Sequence, residues 1–291
     1  MSFELLAEKI AQKQNPTVMG LDPLIDYVPE GLRRGRSVGE ALYAFNCGLI
    51  DCAADLIPAV KPQSAFYEMY GLEGLEALEK TIAYARKAGL YVILDAKRGD
   101  IGSTADAYAR AYLGRSGEGP DCVTVNPYLG SDGILPFIRQ AKANDKSMFI
   151  LVKTSNPSSG EFQDVAFEGK TLYCRVGEQV ENWGRDSVGN SGYSRCGAVV
   201  GATYPHQLAE LRASMPHTFF LIPGYGAQGG TAADVAAAFD AHGGGAIVNS
   251  SRGLMCAYRT HGDPEQYQKY TREAVLNMKN DLTAVWNCGK M

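Results

Sequence analysis

Short apolar runs rich in β-branched residues recur eight times along the chain, and stretches of helical period separate them. A first helix covers the opening ten residues, and Thr17-Val-Met-Gly-Leu-Asp22 then reads as a strand ending in an acid. A helix from Gly39 to Ala54 leads to a second strand over Leu56–Gln63, followed by a helix from Leu72 to Ala88. The third strand, Leu90–Leu94, runs into Asp95-Ala-Lys97-Arg-Gly-Asp100, with a helix from Ile101 to Leu113. A fourth strand spans Asp121–Asn126, before a helix from Ser131 to Ala143. The fifth, Ser147–Lys153, runs into Thr154-Ser155. A polar loop then continues to Gly169, and a helix spans Thr171 to Trp183.

A sixth strand covers Cys196–Ala202, and Pro205 sits where proline suits the first turn of a helix. The seventh, Thr218–Pro223, enters the glycine-rich Gly224-Tyr225-Gly-Ala-Gln228-Gly-Gly, with a helix from Thr231 to Ala241. The eighth covers Gly245–Gly253, and a last helix covers Pro264 to Ala284. Eight strand–helix units without a linker predict an α/β fold: one (β/α)8 TIM barrel domain over residues 1–291, with an N-terminal helix. A doubly wound sheet is the alternative. It would place a glycine-rich fingerprint after an early strand, and Gly20-Leu-Asp22-Pro is not one.

Composition narrows the function classes. With 45% hydrophobic and 21% charged residues the chain has the make-up of a globular protein. A net charge of −4 without a basic run argues against a nucleic-acid surface. No apolar run reaches membrane-spanning length, and the acidic amphipathic start is unlike a signal peptide, so a cytoplasmic protein is expected. Seven cysteines make an odd count with no C-x-x-C pair, and four scattered histidines form no metal-ligand pattern. A zinc site is not expected, whereas a magnesium held by carboxylates stays open.

In a barrel of this kind catalytic groups sit at the C-terminal ends of the strands. Asp22, Lys61, Asp95, Lys97, Asn126, Thr154, Ser155, Pro223, Gln228 and Arg252 all fall there. Alternation along the third strand sends Ile93, Asp95 and Lys97 to one side, so a carboxylate and an ammonium converge. A structural salt bridge, with Asp100 capping the next helix, is the plainer reading of the same residues. The seventh and eighth strand ends suit an anion. Amides after Pro223 and around Ser250-Ser251-Arg252 can face phosphate oxygens, and the arginine supplies a planar fork. Phe66 and Tyr67 read as packing around the barrel.

Taken in order, these motifs resemble the orotidine 5′-phosphate decarboxylase family in its longer-chain branch. Asp95-Ala-Lys97-Arg-Gly-Asp100-Ile-Gly-Ser-Thr104 resembles that family's D-x-K-x-x-D-I signature, with a threonine four residues after the second acid. Lys61-Pro-Gln63-Ser-Ala-Phe-Tyr-Glu resembles its second-strand lysine motif. Pro223-Gly-Tyr225-Gly-Ala-Gln228-Gly-Gly and Arg252 resemble its phosphate-gripping loop and arginine. The resemblance spans the whole sequence and implies cofactor-free decarboxylation of orotidine 5′-phosphate to UMP, with no metal. It further implies a homodimer in which Asp100 and Thr104 enter the partner's site. Asp22 would contact the ribose, Lys61 would link ribose to the charged array, and Lys97 would donate the proton. Thr154 or Ser155 would read the pyrimidine edge. D-x-K-x-x-D is shared with magnesium-dependent sugar-phosphate lyases, which form a rival reading; a non-catalytic nucleotide-binding barrel is another.

Overall fold

Eight parallel strands close into a barrel in which every strand pairs with its neighbours in sequence. They are β1 (Thr17–Leu21), β2 (Ala59–Pro62), β3 (Tyr91–Arg98), β4 (Cys122–Val125), β5 (Ser147–Lys153), β6 (Cys196–Val200), β7 (Phe220–Ile222) and β8 (Ala246–Ser250), which returns to β1. The computed structural model describes residues 2–226 and 230–286, so Gln228 and Cys288 lie outside the described residues. The chain is a single-domain (β/α)8 barrel. Its strands are short and buried on both faces, which is why they read as continuous apolar runs.

Two hydrophobic layers follow from strand alternation. Residues such as Val60, Val92, Val123 and Ile150 face the surrounding helices. Their neighbours Ala59, Tyr91, Cys122 and Phe149 face inward and meet Phe3, Leu6 and Ile10 of the helix Ser2–Lys13. The Phe3 ring lies 4.9 Å from that of Phe149 and 5.3 Å from that of Phe219. The N-terminal helix therefore plugs the barrel at the strand starts and leaves the other end for chemistry. The helix Val38–Ala53 begins where expected because Ser37 and Glu40 form a reciprocal capping box.

Two expectations need correction. The run from Thr231 to Ala241 is not one helix. It forms a single α-turn, Ala232–Val235, and a 3-10 turn, Ala236–Ala238. Asp240 ends it by accepting from the amides of His242 (2.8 Å) and Gly244 (2.9 Å), a side-chain turn that competes with helical bonding. The polar connection after β5 is also more ordered than a loop. Pro157–Glu161 forms a 3-10 turn, and Ala166–Phe167 pairs antiparallel with Lys170–Thr171 through a tight turn at Glu168 and Gly169, both with positive φ.

Candidate active site

β2 and β3 deliver the charges. The buried Lys61 ammonium donates to Asp95 Oδ2 at 2.7 Å, and Lys97 donates to Asp95 Oδ1 at 2.6 Å. Strand pairing continues beyond the regular ladder as a bridge between Gln63 and Asp95, and the Ser64 amide donates to the Asp95 carbonyl. One carboxylate thus bridges two ammoniums. Burial alone pushes the Asp95 carboxyl up, but the charges of Lys61 and Lys97 outweigh it and hold the group well below the usual carboxylate range. Burial likewise depresses Lys61, and Asp95 and Asp22 together raise it above its ordinary value.

The backbone is bent to make this convergence. Lys97 has φ +46°, in the left-handed region that a side chain with a Cβ seldom occupies, and the β3–β4 register shifts between Leu94 and Arg98. Thr124, buried in β4, holds the bend: its hydroxyl accepts from the amides of Ala96 (3.0 Å) and Lys97 (2.8 Å) and donates to Asp95 Oδ1 (2.9 Å). Sequence reasoning passed over Thr124. Its signal was a lone polar residue in the apolar Cys122-Val-Thr-Val125 strand, beside the strand that carries the acid.

A cavity of about 400 Å³ opens at the ends of β1, β7 and β8 and is lined by Asp22, Phe66, Pro223, Tyr225, Ser251 and Arg252 among others. Gly20 makes the close approach there possible, because a Cβ on it would stand 1.9 Å from Ser251 Oγ. Arg252 opens the short helix Arg252–Met255 directly after β8. The Tyr225 hydroxyl donates to Asp281 at 2.8 Å, tying the glycine-rich segment to the last helix. Asn249, also missed from sequence, lines the cavity. The buried oxygens Asp22 Oδ1 and Asn249 Oδ1 have no hydrogen-bond partner among the described residues. Such atoms suit hydroxyl or N–H donors from a polar ligand. Both adjacent aromatics pack against the core as expected, Tyr67 fully buried and Phe66 partly, and Phe66 also lines this cavity.

The other expected residues are placed as follows. Gln63 stands beside Asp95, its Oε1 accepting from the Ala65 amide at 3.4 Å. Asn126 is exposed at the end of β4; its Oδ1 accepts from the Tyr128 amide (3.0 Å) in a local turn, and its own amide donates to the carbonyl of Arg98, next to Lys97 (2.8 Å). Thr154 and Ser155 follow β5, across the barrel from β1. Asp100 does not cap the following helix, whose N-cap is Ile101; its Oδ1 accepts from the Ile101 amide at 2.8 Å. No hydrogen bond or ion pair joins Asp100 to Lys97 within the chain among the described residues, and Thr104 is exposed on the first turn of that helix. Gln228 lies outside the described residues. Among the described residues no group of three or more His, Cys, Asp or Glu is placed to hold a metal ion.

A carboxylate bridging two lysines, next to an arginine-lined cavity at the C-terminal mouth of a (β/α)8 barrel, defines a barrel enzyme. The model of the orotidine 5′-phosphate decarboxylase / HUMPS family matches residues 43–267. An orotidine 5′-phosphate decarboxylase of Rhodopirellula baltica is 47% identical over 282 residues, 91% of this chain and 93% of the relative. One of Clostridium botulinum is 40% identical, over 98% of this chain and 100% of the relative. The solved structure of Leishmania donovani OMP decarboxylase superposes with a TM-score of 0.75 at 35% identity, covering 96% of this chain and 98% of that one. The chain belongs to the orotidine 5′-phosphate decarboxylase family and is an enzyme.

Proposed function

We propose that the protein decarboxylates orotidine 5′-phosphate to UMP and CO2 without a cofactor, the last step of de novo UMP synthesis, in the cytoplasm and as one domain over residues 1–291. The observation that carries this is the Lys61–Asp95–Lys97 array beside a cavity lined by Asp22 and Arg252. Breaking the bond from C6 to the carboxylate leaves an electron pair on C6 in the ring plane, beyond reach of the π system. Only fixed charge can stabilise it. The Lys97 ammonium does so and then donates its proton to C6, and solvent restores that proton. Opposite charges ~4 Å apart attract by roughly 4 kcal/mol at an effective dielectric of ~20, so several pre-placed charges are needed.

Arg252, with the amides after Pro223, that of Tyr225 among them, and at Ser251, grips the phosphate, joined by Gln228. Asp22 takes a ribose hydroxyl on its unpaired oxygen, Lys61 links ribose to Asp95, and Thr154 or Ser155 reads the pyrimidine, with Gln63 and Asn126 at the rim. Binding energy from the remote phosphate holds the reacting end in place. Loss of orotidine 5′-phosphate absorbance with EDTA present tests the reaction. Conversion to UMP is expected; activity only on adding magnesium would instead point to a metal-dependent lyase.

The site is proposed to be shared in a homodimer, with Asp100 and Thr104 entering the partner's site. Asp100 makes no bond to Lys97 of its own chain, and Ile101, Tyr128, Leu129 and Leu135 are exposed nearby, on or next to two helices that pack together. Lys97→Ala and Asp100→Ala subunits are each expected to be nearly inactive. A 1:1 mixture after subunit exchange should recover about a quarter of the wild-type rate, since half the dimers are hybrids with one intact site each. No recovery after confirmed exchange would place Asp100 outside the partner's site.

A further inference from the structure

Lys153 ends β5 with its side chain only 1% exposed. A register shift between Leu151 and Lys153 breaks the alternation of β5 against β6. Val152 packs near Gly177 of the helix Leu172–Gly184, in the same layer as Met148 and Ile150, and past the shift the Lys153 ammonium reaches that side as well, 5.4 Å from the Tyr173 ring centre and 5.2 Å from that of Tyr204. A buried ammonium needs a counter-charge. Asp164, from the connection after β5, meets it at 2.6 Å, and Gln207 adds a longer bond to the same carboxylate oxygen (3.4 Å). This ion pair fastens the connection to the barrel.

The residue beside the anchor grips the strand end. The Thr154 amide donates to Gln163 Oε1 at 2.9 Å, and Gln163 Nε2 donates to the Thr154 hydroxyl at 2.8 Å. That hydroxyl in turn donates to Asn156 Oδ1 at 2.6 Å. Thr154 thus has its amide and its hydroxyl proton committed to the protein. The Ser155 hydroxyl has no hydrogen-bond partner among the described residues. Gly201 admits the Ser155 backbone, because a Cβ there would stand 3.0 Å from its atoms.

We propose that Gln163, held by the Lys153–Asp164 ion pair, is a positioning residue that fixes Thr154 so that Ser155 is the residue meeting the pyrimidine. This rests on the decarboxylase reading and gives the connection over residues 156–170 its role. Gln163 acts on the base end of the ligand and leaves the phosphate end untouched. The test is affinity for UMP against ribose 5-phosphate, measured by calorimetry on the full chain. Wild type should prefer UMP. Gln163→Ala should lose about tenfold in UMP affinity, the scale of one or two hydrogen bonds, with ribose 5-phosphate affinity unchanged and Tm lowered by only a few degrees. Gln163→Glu, which still accepts from the Thr154 amide, should recover part of the loss. Ser155→Ala should lose the UMP preference, and adding Gln163→Ala to it should cost little more.

Equal losses for both ligands, or an unchanged ratio in Gln163→Ala, would overturn the role of Gln163 while wild-type turnover left the decarboxylase reading standing. A wild-type protein that neither converts orotidine 5′-phosphate nor prefers UMP would overturn both.

Discussion

Lys97→Ala is expected to lower turnover of orotidine 5′-phosphate by at least about four orders of magnitude while the barrel stays folded. Removing a proton donor costs ~10²–10⁴-fold, and removing a pre-placed charge adjacent to a developing anion costs a further ~10²–10³-fold. Stability should change little, for a reason visible in the geometry. The Lys97 side chain is 45% exposed, and its loss leaves Asp95 still bonded to Lys61 at 2.7 Å and Thr124 at 2.9 Å. An ion pair so open to water contributes at most about 1 kcal/mol. The variant is to be assayed by absorbance for turnover, by calorimetry for UMP binding and by thermal melting for the fold. Near-native turnover would remove Lys97 from the mechanism, and lost UMP binding would make it a ligand contact first.

The barrel was legible because each strand is a short apolar run and each connection carries a helical period or turn residues. The candidate site was legible for a related reason: polar residues at the ends of such runs are costly in a core and stand out. Asp22, Lys61, Asp95, Lys97 and Arg252 were found this way, and the structure gathers them at one mouth. Residues inside a run are harder to see. Thr124 interrupts an apolar strand by one position, a pattern that simple packing also tolerates, whereas Asn249 opens the polar Asn249-Ser250-Ser251 end of β8, where Arg252 is the more conspicuous residue.

Local irregularities were hidden altogether. Alternation does not foretell the left-handed Lys97 or the bulge that turns Lys153 towards the helices, because both depend on the neighbouring strand's register. The helix expected over residues 231–241 failed because alanine-rich propensity was outweighed by the Asp240 turn.

Asp95→Asn should both stop turnover and destabilise the fold, and its pH dependence is diagnostic. The substitution leaves the ammonium of Lys61, 6% exposed, without a carboxylate in contact. Breaking a buried pair on one side costs about 3–5 kcal/mol, and each kcal/mol lowers Tm by roughly 2–4 °C in a chain of this size. In the wild type Lys61 has a raised pKa in the folded state, so its contribution is fully present below the unfolded value of ~10.4 and is lost only as pH climbs through the folded value. Asp95 is depressed, so its contribution is present above ~3.9 and is lost only as pH falls through the folded value. Between those limits the array adds no slope. In the variant, burial acts on Lys61 with only Asp22 left to oppose it, and the folded-state pKa falls. The unfolded chain then binds more protons, so the variant gains stability as pH rises. The Tm gap between wild type and Asp95→Asn should therefore narrow from pH 7 to pH 9.5. A gap that stays constant or widens would show that Lys61 keeps its charge without Asp95, and that the carboxylate is not what holds the buried ammonium in place.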